Sequence, residues 1–166
     1  MIKIKTARGE QLQMAKRLIR RVFPWRSPRE EVILFAMTNR QSWIARKMLY
    51  LSRIKEIAEI WVAINEDKEV IGTVGLYTYR KDHSEAIWLF WYCVAPEERG
   101  QGTGKKLLKQ AIQEAKKLDI DYLRLYTSNL ANERVAQQIY EKHGLKEIRR
   151  KNRIFYQEII RELRLQ

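Results

Sequence analysis

The sequence predicts a mixed α/β fold of the α+β type, with helices flanking a mostly antiparallel sheet of six to seven strands. Three short β-rich segments follow one another between residues 60 and 94, separated only by turns, as in an antiparallel meander. Amphipathic helical patterns precede and follow this meander. A length of 166 residues fits one domain over residues 1–166, and 45% hydrophobic with 32% charged residues is an ordinary globular composition.

The first third of the chain is predicted to hold one strand and three helices. Residues 2–5 alternate between apolar and charged side chains, which indicates a strand. A helix follows, because apolar residues recur at helical spacing from Leu12 to Val22. Ser27-Pro28-Arg29-Glu30 has the form of a capping box with proline at the first helical position, so a second helix begins there. The apolar spacing between residues 42 and 57 predicts a third helical stretch.

The rest of the chain is predicted to contain six strands and two helices. The strands are expected over residues 60–64, 69–79, 86–94, 122–127, 146–150 and 154–160. One helix follows the glycines at 100–104, and another spans residues 133–143 and ends before Gly144, the usual C-terminal glycine. The five tryptophans are expected in the core or in a cleft wall: Trp25, Trp43, Trp61, Trp88 and Trp91.

Composition excludes several kinds of site. The single cysteine, Cys93, excludes an internal disulfide and a cysteine-rich zinc site. The two histidines, His83 and His143, are far apart in the sequence, so we expect no metal site. No segment has the roughly 18 apolar residues of a membrane span, and the N-terminus lacks the apolar core of a secretory signal. We therefore expect a cytoplasmic protein that does not bind membranes; homodimerisation stays open.

The chain is strongly basic, with 33 Lys and Arg against 20 Asp and Glu. The excess is concentrated in residues 1–65, which hold 14 Lys and Arg against 5 Asp and Glu. A basic surface attracts nucleic acid, acidic membranes or anionic small molecules. The same charge is also compatible with a solvated surface that has no specific partner.

The segment from Val94 to Lys105 carries the clearest chemical signal. A strand ends, Pro96 breaks it, and Gly100, Gly102 and Gly104 lead into a helix. Glycines let backbone N–H groups point into one concavity, and a helix N-terminus adds unpaired N–H groups with a partial positive charge. This combination predicts an anion site suited to a pyrophosphate. It matches neither the nucleotide P-loop nor the dinucleotide Gly-x-Gly-x-x-Gly pattern.

Arg99-x-x-Gly102-x-Gly104, five residues after Val94, resembles the acetyl-CoA signature of the GCN5-related N-acetyltransferases, the GNAT superfamily. The likeness covers residues 60–160 well and residues 1–25 loosely. A helix after the next strand matches the family's second group of residues: Asn132, Ala136, Tyr140, Gly144 and Leu145.

The resemblance implies acetyl-CoA as co-substrate and a role for each matching residue. Tyr140 would lie near the thioester sulfur and protonate the departing thiolate, a reaction suited to a phenol with a pKa near 10. Asn132 would contact the pantetheine or adenosine end. Three backbone positions would pair with the acetyl carbonyl and the pantetheine arm: Tyr92, Cys93 and Val94. The loop that would bind the pyrophosphate comprises Arg99, Gly100, Gln101, Gly102, Thr103, Gly104 and Lys105.

The sequence departs from the family pattern at the general base. Trp88 stands eleven residues before Arg99, where the family often has a glutamate. Glu85 is three residues away, and an odd offset places it on the other side of a strand. The acceptor amine would then lose its proton through ordered water. Two residues also have purely structural readings, Asn132 as a helix N-cap and Tyr140 as part of an apolar stripe.

The expected function is transfer of acetyl from acetyl-CoA to a primary amine of a small molecule or peptide. Two alternatives stay open. The charge favours a basic nucleic-acid- or ribosome-associated module, and Trp88 favours a catalytically silent CoA-binding protein. The segment 6–59 corresponds to the family's acceptor-site helices and is basic. We therefore expect a neutral or anionic acceptor rather than a polycation.

Overall fold

The centre of the fold is a seven-stranded sheet, in a computed structural model that describes residues 1–166. The strands are β1 (Lys3–Thr6), β2 (Ile54–Ile64), β3 (Val70–Tyr79), β4 (Ala86–Val94), β5 (Tyr122–Ser128), β6 (Lys146–Asn152) and β7 (Gln157–Arg164). They lie in the order β1-β2-β3-β4-β5-β7-β6, and only the β4–β5 pair is parallel. The predicted mixed, mostly antiparallel sheet is confirmed.

Five helices cover the two faces of this sheet. They are α1 (Glu10–Val22), α2 (Pro28–Thr38), α3 (Trp43–Leu51), α4 (Thr103–Ala115) and α5 (Arg134–Lys142). One hydrophobic cluster joins the first three helices to the sheet, and a second cluster joins the last two to its opposite side. We call these sides the α1–α3 face and the α4–α5 face. None of the helices combines the length and hydropathy that crossing a membrane requires.

The capping box predicted at the start of α2 is present. The Ser27 hydroxyl accepts a hydrogen bond from the Glu30 N–H at 3.4 Å, and the Glu30 carboxylate accepts one from the Ser27 N–H at 2.6 Å. These two bonds satisfy donors that a helix start otherwise leaves free. The capping box therefore fixes where α2 begins, and with it the position of Arg29 in the first turn.

The prediction of a helix from residue 42 to about 57 is wrong at its end. Helix α3 stops at Leu51, Arg53 has a positive φ of 62°, and Ile54 already belongs to β2. The register of β2 against β3 shifts between Ile54 and Glu56 and again after Ile57. Each irregularity adds one residue, so the buried isoleucines of β2 recur every three residues and imitate a helical pattern.

Two further expectations are corrected on the surface. Residues 154 and 155 do not begin the last strand, because Ile154 and Phe155 lie in the β6–β7 turn and are 90% exposed. The strand runs instead over residues 157–164, where charged side chains hid the pattern. Trp25 and Trp43 are 93% and 67% exposed, whereas the other three tryptophans are buried as expected.

Candidate active site

Strands β4 and β5 are paired for only part of their length. Their parallel ladder runs from Ala86↔Tyr122 to Leu89↔Leu125, although β4 continues to Val94 and β5 continues to Ser128. Beyond the last pair no ladder joins the two strands, and we infer a wedge-shaped opening between their ends. We call this opening the β4–β5 wedge.

An irregularity in β4 accompanies the separation. Between the pairs Thr73↔Cys93 and Gly75↔Phe90, strand β4 uses one residue more than β3. Trp91 lies in this stretch with a φ of 46°, a conformation that non-glycine residues rarely adopt. A bulge bends the strand that carries it, and this one lies directly beyond the end of the β4–β5 ladder.

The backbone on the wedge side of β4 has no strand partner after Leu89. Cys93 and Val94 pair with β3 on the other edge, at Thr73 and Gly72. Buried backbone N–H and C=O groups require hydrogen-bond partners, so this free edge suits a linear ligand that carries amide groups. The backbone positions predicted to contact the cofactor, Tyr92 to Val94, lie on this free edge of β4, and their role stays a prediction.

The glycine-rich turn lies at the end of the wedge and starts α4. Gly100 and Gly102 have φ angles of 84° and 79°, and a side chain at either position would project into open space. The backbone N–H groups from residues 100 to 102 donate no hydrogen bond in the turn; Lys106 is the first to bond back, to Gly102 O at 3.1 Å. With the free first-turn amides of α4, this forms a cradle of donors at a helix N-terminus, which attracts anions.

Position 104 requires glycine for a different reason, which is close packing rather than a positive φ. A side chain there would place its Cβ 2.8 Å from the Tyr92 hydroxyl, so only glycine lets α4 approach β4 this closely. The hydroxyls of Tyr92 and Thr103 are both buried and have no partner within the protein. Two polar groups without partners beside the cradle indicate that a polar ligand completes this region.

The charged and polar side chains of the loop differ in their contacts: Arg99 and Gln101 bond to neighbouring groups of the protein, whereas Lys105 is exposed. The Arg99 Nε donates to Val94 O at 3.2 Å, which ties the loop to the end of β4. Gln101 Nε2 donates to Glu98 at 3.2 Å, and Lys105 is exposed beside the first turn. The main donors of the cradle are therefore backbone groups, with Arg99 and Lys105 as flanking charges.

Tyr140 reaches the α4–α5 face of the wedge from α5. It is 5% exposed, and its ring centroid lies 5.5 Å from that of Tyr92. Burial raises its pKa well above the ordinary value, and the neighbouring Tyr92 and Glu133 raise it further. The phenol therefore keeps its proton throughout the neutral pH range, as a general acid must.

Asn132 precedes α5, the helix that carries Tyr140. Asn132 is exposed in a short 3-10 turn over Ala131–Glu133, outside α5, so it is not the helix N-cap. The sequence analysis missed its neighbour Glu133, which accepts hydrogen bonds from the Ser128 N–H at 3.0 Å and the Ser128 hydroxyl at 2.7 Å. These bonds hold the start of α5 against the end of β5.

Aromatic side chains form the wall of the wedge on the α1–α3 face. Trp88 stacks on Tyr126 with ring centroids 4.6 Å apart, and Tyr79 meets the Trp88 ring edge-on at 5.2 Å. Tyr77 contacts Phe90 at 5.4 Å. Phe90 and Tyr126 are the first residues of β4 and β5 beyond their paired segment. This wall and Tyr140 therefore lie on opposite sides of the opening.

Trp88 stands in the wall where the resemblance implies a glutamate, and its side chain is hydrogen-bonded to a carboxylate. Its indole N–H donates to Asp82 at 3.1 Å, and Arg124 contacts the same oxygen at 3.3 Å. Arg124 also binds Glu85 at 2.5 Å and Glu162 at 2.7 Å. Glu85, considered as a base above, is thus ion-paired at the closed part of the sheet, where Trp88 and Arg124 are register partners.

The two histidines and the cysteine lie outside the wedge chemistry. The His83 ring is in the β3–β4 turn against Arg80 O, and the His143 ring contacts Ile139 O at the end of α5. Cys93 is buried on the α1–α3 face, and burial raises the pKa of its thiol to about 12. A neutral, buried thiol is a poor nucleophile. No group of three or more potential metal-ligating side chains is present.

These residues fit acetyl-CoA on structural grounds alone. The cradle matches a pyrophosphate, the free β4 edge matches the amides of a pantetheine arm, and the wedge leads from one to the other. The buried, protonated Tyr140 would then stand where the thioester ends.

Comparison with known proteins gives a family and a common fold. The family model described as the acetyltransferase (GNAT) family matches residues 12–145. The fold is similar to that of Arabidopsis thaliana NAA60 in complex with a bisubstrate analogue, with a TM-score of 0.74 and 14% identity over 99% of this chain and 98% of that one. The complex of NAA60 with acetyl-CoA gives a TM-score of 0.69 at 14% identity, over 99% and 98% of the two chains.

A bacterial structure shares the fold as well. The ribosomal-protein-S18-alanine N-acetyltransferase of Escherichia coli has a TM-score of 0.70 and 20% identity, over 99% of this chain and 94% of that one. At such identities the likeness to these structures shows a common fold. No curated protein sequence matches this one.

Proposed function

This chain belongs to the GNAT family of acetyltransferases, and we propose that it transfers the acetyl group of acetyl-CoA to a primary amine in the β4–β5 wedge. Residues 1–166 would act as one catalytic domain. The observation that carries the proposal is the cradle of free backbone donors at the start of α4, continuous with the unpaired edge of β4, where the ring of Tyr140 contacts that of Tyr92.

Acetyl-CoA would supply an activated thioester. The backbone N–H groups from Gly100 to Gly104 would bind its pyrophosphate, with Arg99 and Lys105 as flanking charges. The backbone of Tyr92, Cys93 and Val94 would orient the pantetheine arm as an added strand, and free N–H groups on this edge would stabilise negative charge on the acetyl oxygen.

Tyr140 is proposed as the general acid. Its raised pKa keeps the phenol protonated, so a proton is available when the departing sulfur becomes negative. A phenol with a raised pKa is a weaker donor, but the same buried environment also raises the proton affinity of a thiolate. Desolvation of both partners therefore leaves the transfer from Tyr140 to sulfur nearly balanced.

Direct attack by the amine is favoured over a covalent acetyl-cysteine route. The chain has one cysteine, and the Cys93 thiol is buried, neutral and on the face opposite Tyr140. The amine has no carboxylate base at position 88. We propose that water in the open wedge takes its proton, so that the reaction depends on the fraction of amine already unprotonated.

Binding and turnover can be tested separately. Titration calorimetry should detect acetyl-CoA binding, and release of CoA thiol with a panel of amines should report transfer. Binding without CoA release for any amine would favour the silent CoA-binding alternative. Absence of binding would contradict the proposal altogether.

The nucleic-acid alternative is not strengthened by the one basic strand. Every residue of β6 is exposed, and four of its seven are Lys or Arg. Charged residues on an edge strand have a simpler explanation, because they prevent pairing with another sheet. Salt-sensitive RNA binding at physiological ionic strength would be the result that favours this alternative.

A further inference from the structure

Arg29 is an arginine of the wedge wall that has no acidic partner. It lies in the first turn of α2, and its Nη1 donates to the Tyr79 hydroxyl at 3.0 Å. Its guanidinium carbon is 5.7 Å from the centre of the Tyr79 ring. Arg29 is exposed and forms no ion pair, whereas the more buried Arg26, Arg124 and Arg161 are all ion-paired with carboxylates. Most of the five N–H donors of Arg29 are therefore free.

Three phenols surround this guanidinium. Tyr77 and Tyr79 have ring centroids 5.0 Å apart, and Tyr79 and Tyr126 both contact the Trp88 ring, at 5.2 and 4.6 Å. Burial raises the pKa of Tyr77 and Tyr126, so both remain neutral and can donate through O–H. A permanent cation beside neutral O–H donors forms a site for an oxyanion, because all of its groups donate and none carries negative charge.

Tyr126 connects this site to the β4–β5 wedge. Tyr126 is 37% exposed and is the first β5 residue beyond the paired segment, at the mouth of the wedge. The positive charge of Arg29 lowers the pKa of the Tyr126 phenol, and it has the same effect on Tyr77. An acceptor that enters from the α1–α3 face would therefore place its amine in the wedge and another part of the molecule against Arg29.

The remaining charges nearby do not cancel that of Arg29. Asp82, Glu85 and Glu162 gather around Arg124 at the closed part of the sheet. Glu158, the carboxylate that faces Tyr126, is held by both oxygens on Arg153 at 2.9 and 3.0 Å. The other cation at Tyr79 is Lys81, whose Nζ is 5.8 Å from the ring centre.

We propose that the acceptor is an amine that also carries a carboxylate, and that Arg29 with the hydroxyls of Tyr79 and Tyr126 binds this carboxylate. This inference rests on the proposed acetyltransferase function and names its substrate class. Free amino acids and short peptides with an acidic residue beside the amine share this chemistry.

The test compares matched pairs of amines. kcat/KM for acetylation, expressed per concentration of unprotonated amine, is measured for amino acids and their carboxamides, for dipeptides with Asp or Asn in second position, and for spermidine. We expect each carboxylate to exceed its amide by about 10- to 100-fold, the range for losing a hydrogen-bonded charge pair. Whichever carboxylates are acetylated faster, the free amino acids or the Asp dipeptides, shows whether the carboxylate belongs to an amino acid or to a peptide. No preference for the carboxylate in any pair, or fastest acetylation of spermidine, would overturn the proposal.

Variants assign the preference to Arg29. Arg29→Gln should bring the ratio of carboxylate to amide near one, and Arg29→Lys should retain part of it. Arg46→Gln removes the same charge from an exposed position on α3 and should leave the ratio unchanged. An unchanged ratio in Arg29→Gln would reject the assignment. Acetyl-CoA binding, measured in each variant, shows separately whether the proposed cofactor site is intact.

Discussion

The two sides of the β4–β5 wedge differ in which atoms they offer. On the α4–α5 side most of the free groups are backbone amides from one continuous stretch, residues 90–105, and glycine makes them accessible. On the α1–α3 side they are side chains from three distant segments: Arg29, Tyr79 and Tyr126. We infer that the first side binds the group common to every reaction, whereas the second side selects the acceptor.

This comparison makes a general prediction about variants. Changes on the α4–α5 side should alter acetyl-CoA binding or turnover by the same factor for all acceptors. Changes on the α1–α3 side should alter the ratio between acceptors. A change on the α4–α5 side that alters the ratio between acceptors, or a change on the α1–α3 side that affects all acceptors equally, would contradict this prediction.

The largest effect is expected from Tyr140→Phe. Removing the hydroxyl should lower kcat by about 10²- to 10⁴-fold, the range for loss of a general acid, because the sulfur then leaves without a proton. Acetyl-CoA affinity should stay within about twofold, since the ring is retained. Tyr122→Phe, on the closed part of β5, is the matched control. An unchanged kcat in Tyr140→Phe, with chemistry rate-limiting, would reduce Tyr140 to a packing residue.

The next largest effect is the dependence on pH. Below the pKa of the acceptor amine, about 8 for a peptide terminus and 10 for a lysine-like amine, kcat/KM should rise about tenfold per pH unit. Tyr140 must be protonated to act, and its pKa is raised, so activity is lost only above that raised value. The profile should show no descending limb below pH 10. A descending limb near pH 8 would mean that another group supplies the proton.

Gly102→Gln should have a smaller effect, confined to the cofactor. The side chain would occupy the open space in front of the cradle, and we expect acetyl-CoA affinity to fall at least about tenfold, the equivalent of about 1.4 kcal/mol. Gly9→Gln is the control, because Gly9 also has a positive φ and open space but lies at the start of α1. Gly102→Gln should lose about 1–2 kcal/mol of stability from backbone strain, and Gly9→Gln should lose more, because its ψ of −119° lies outside the left-handed region. Equal acetyl-CoA affinity in both variants would place the pyrophosphate elsewhere.

The two sides of the wedge also differ in how far the sequence predicts them. The cradle is local, since a strand end, a proline, alternating glycines and a helix start are consecutive in the chain. The order of elements and the helix that carries Tyr140 could be predicted for the same reason, from periodicity and one C-terminal glycine. The cradle and the position of Tyr140 could therefore be predicted from sequence patterns between residues 94 and 145.

No sequence pattern predicted the groups on the α1–α3 side of the wedge. Arg29 is 50 residues from Tyr79, its hydrogen-bond partner, and only the packing of α2 against β3 brings them together. The irregularities of β2 made its isoleucines look helical, and Trp25 and Trp43 looked like core residues although they are exposed. Asn132 lies in a 3-10 turn before α5, so its reading as the helix N-cap is wrong, and its contact with the cofactor stays a prediction. Side-chain convergence depends on register and packing, which single-sequence patterns do not encode.

The smallest expected effect is that of salt, and it sharpens the difference between the two sides. If Arg29 attracts a carboxylate at a half-exposed site, raising ionic strength from about 0.05 to 0.5 M should lower kcat/KM for that acceptor severalfold, because the Debye length becomes shorter than the approach distance. The carboxamide of the same acceptor should change little under the same conditions. Acetyl-CoA is also an anion, so it is kept saturating to remove its own salt dependence. Equal slopes for carboxylate and amide would indicate that the basic surface acts on acetyl-CoA alone, and that the α1–α3 side does not select by charge.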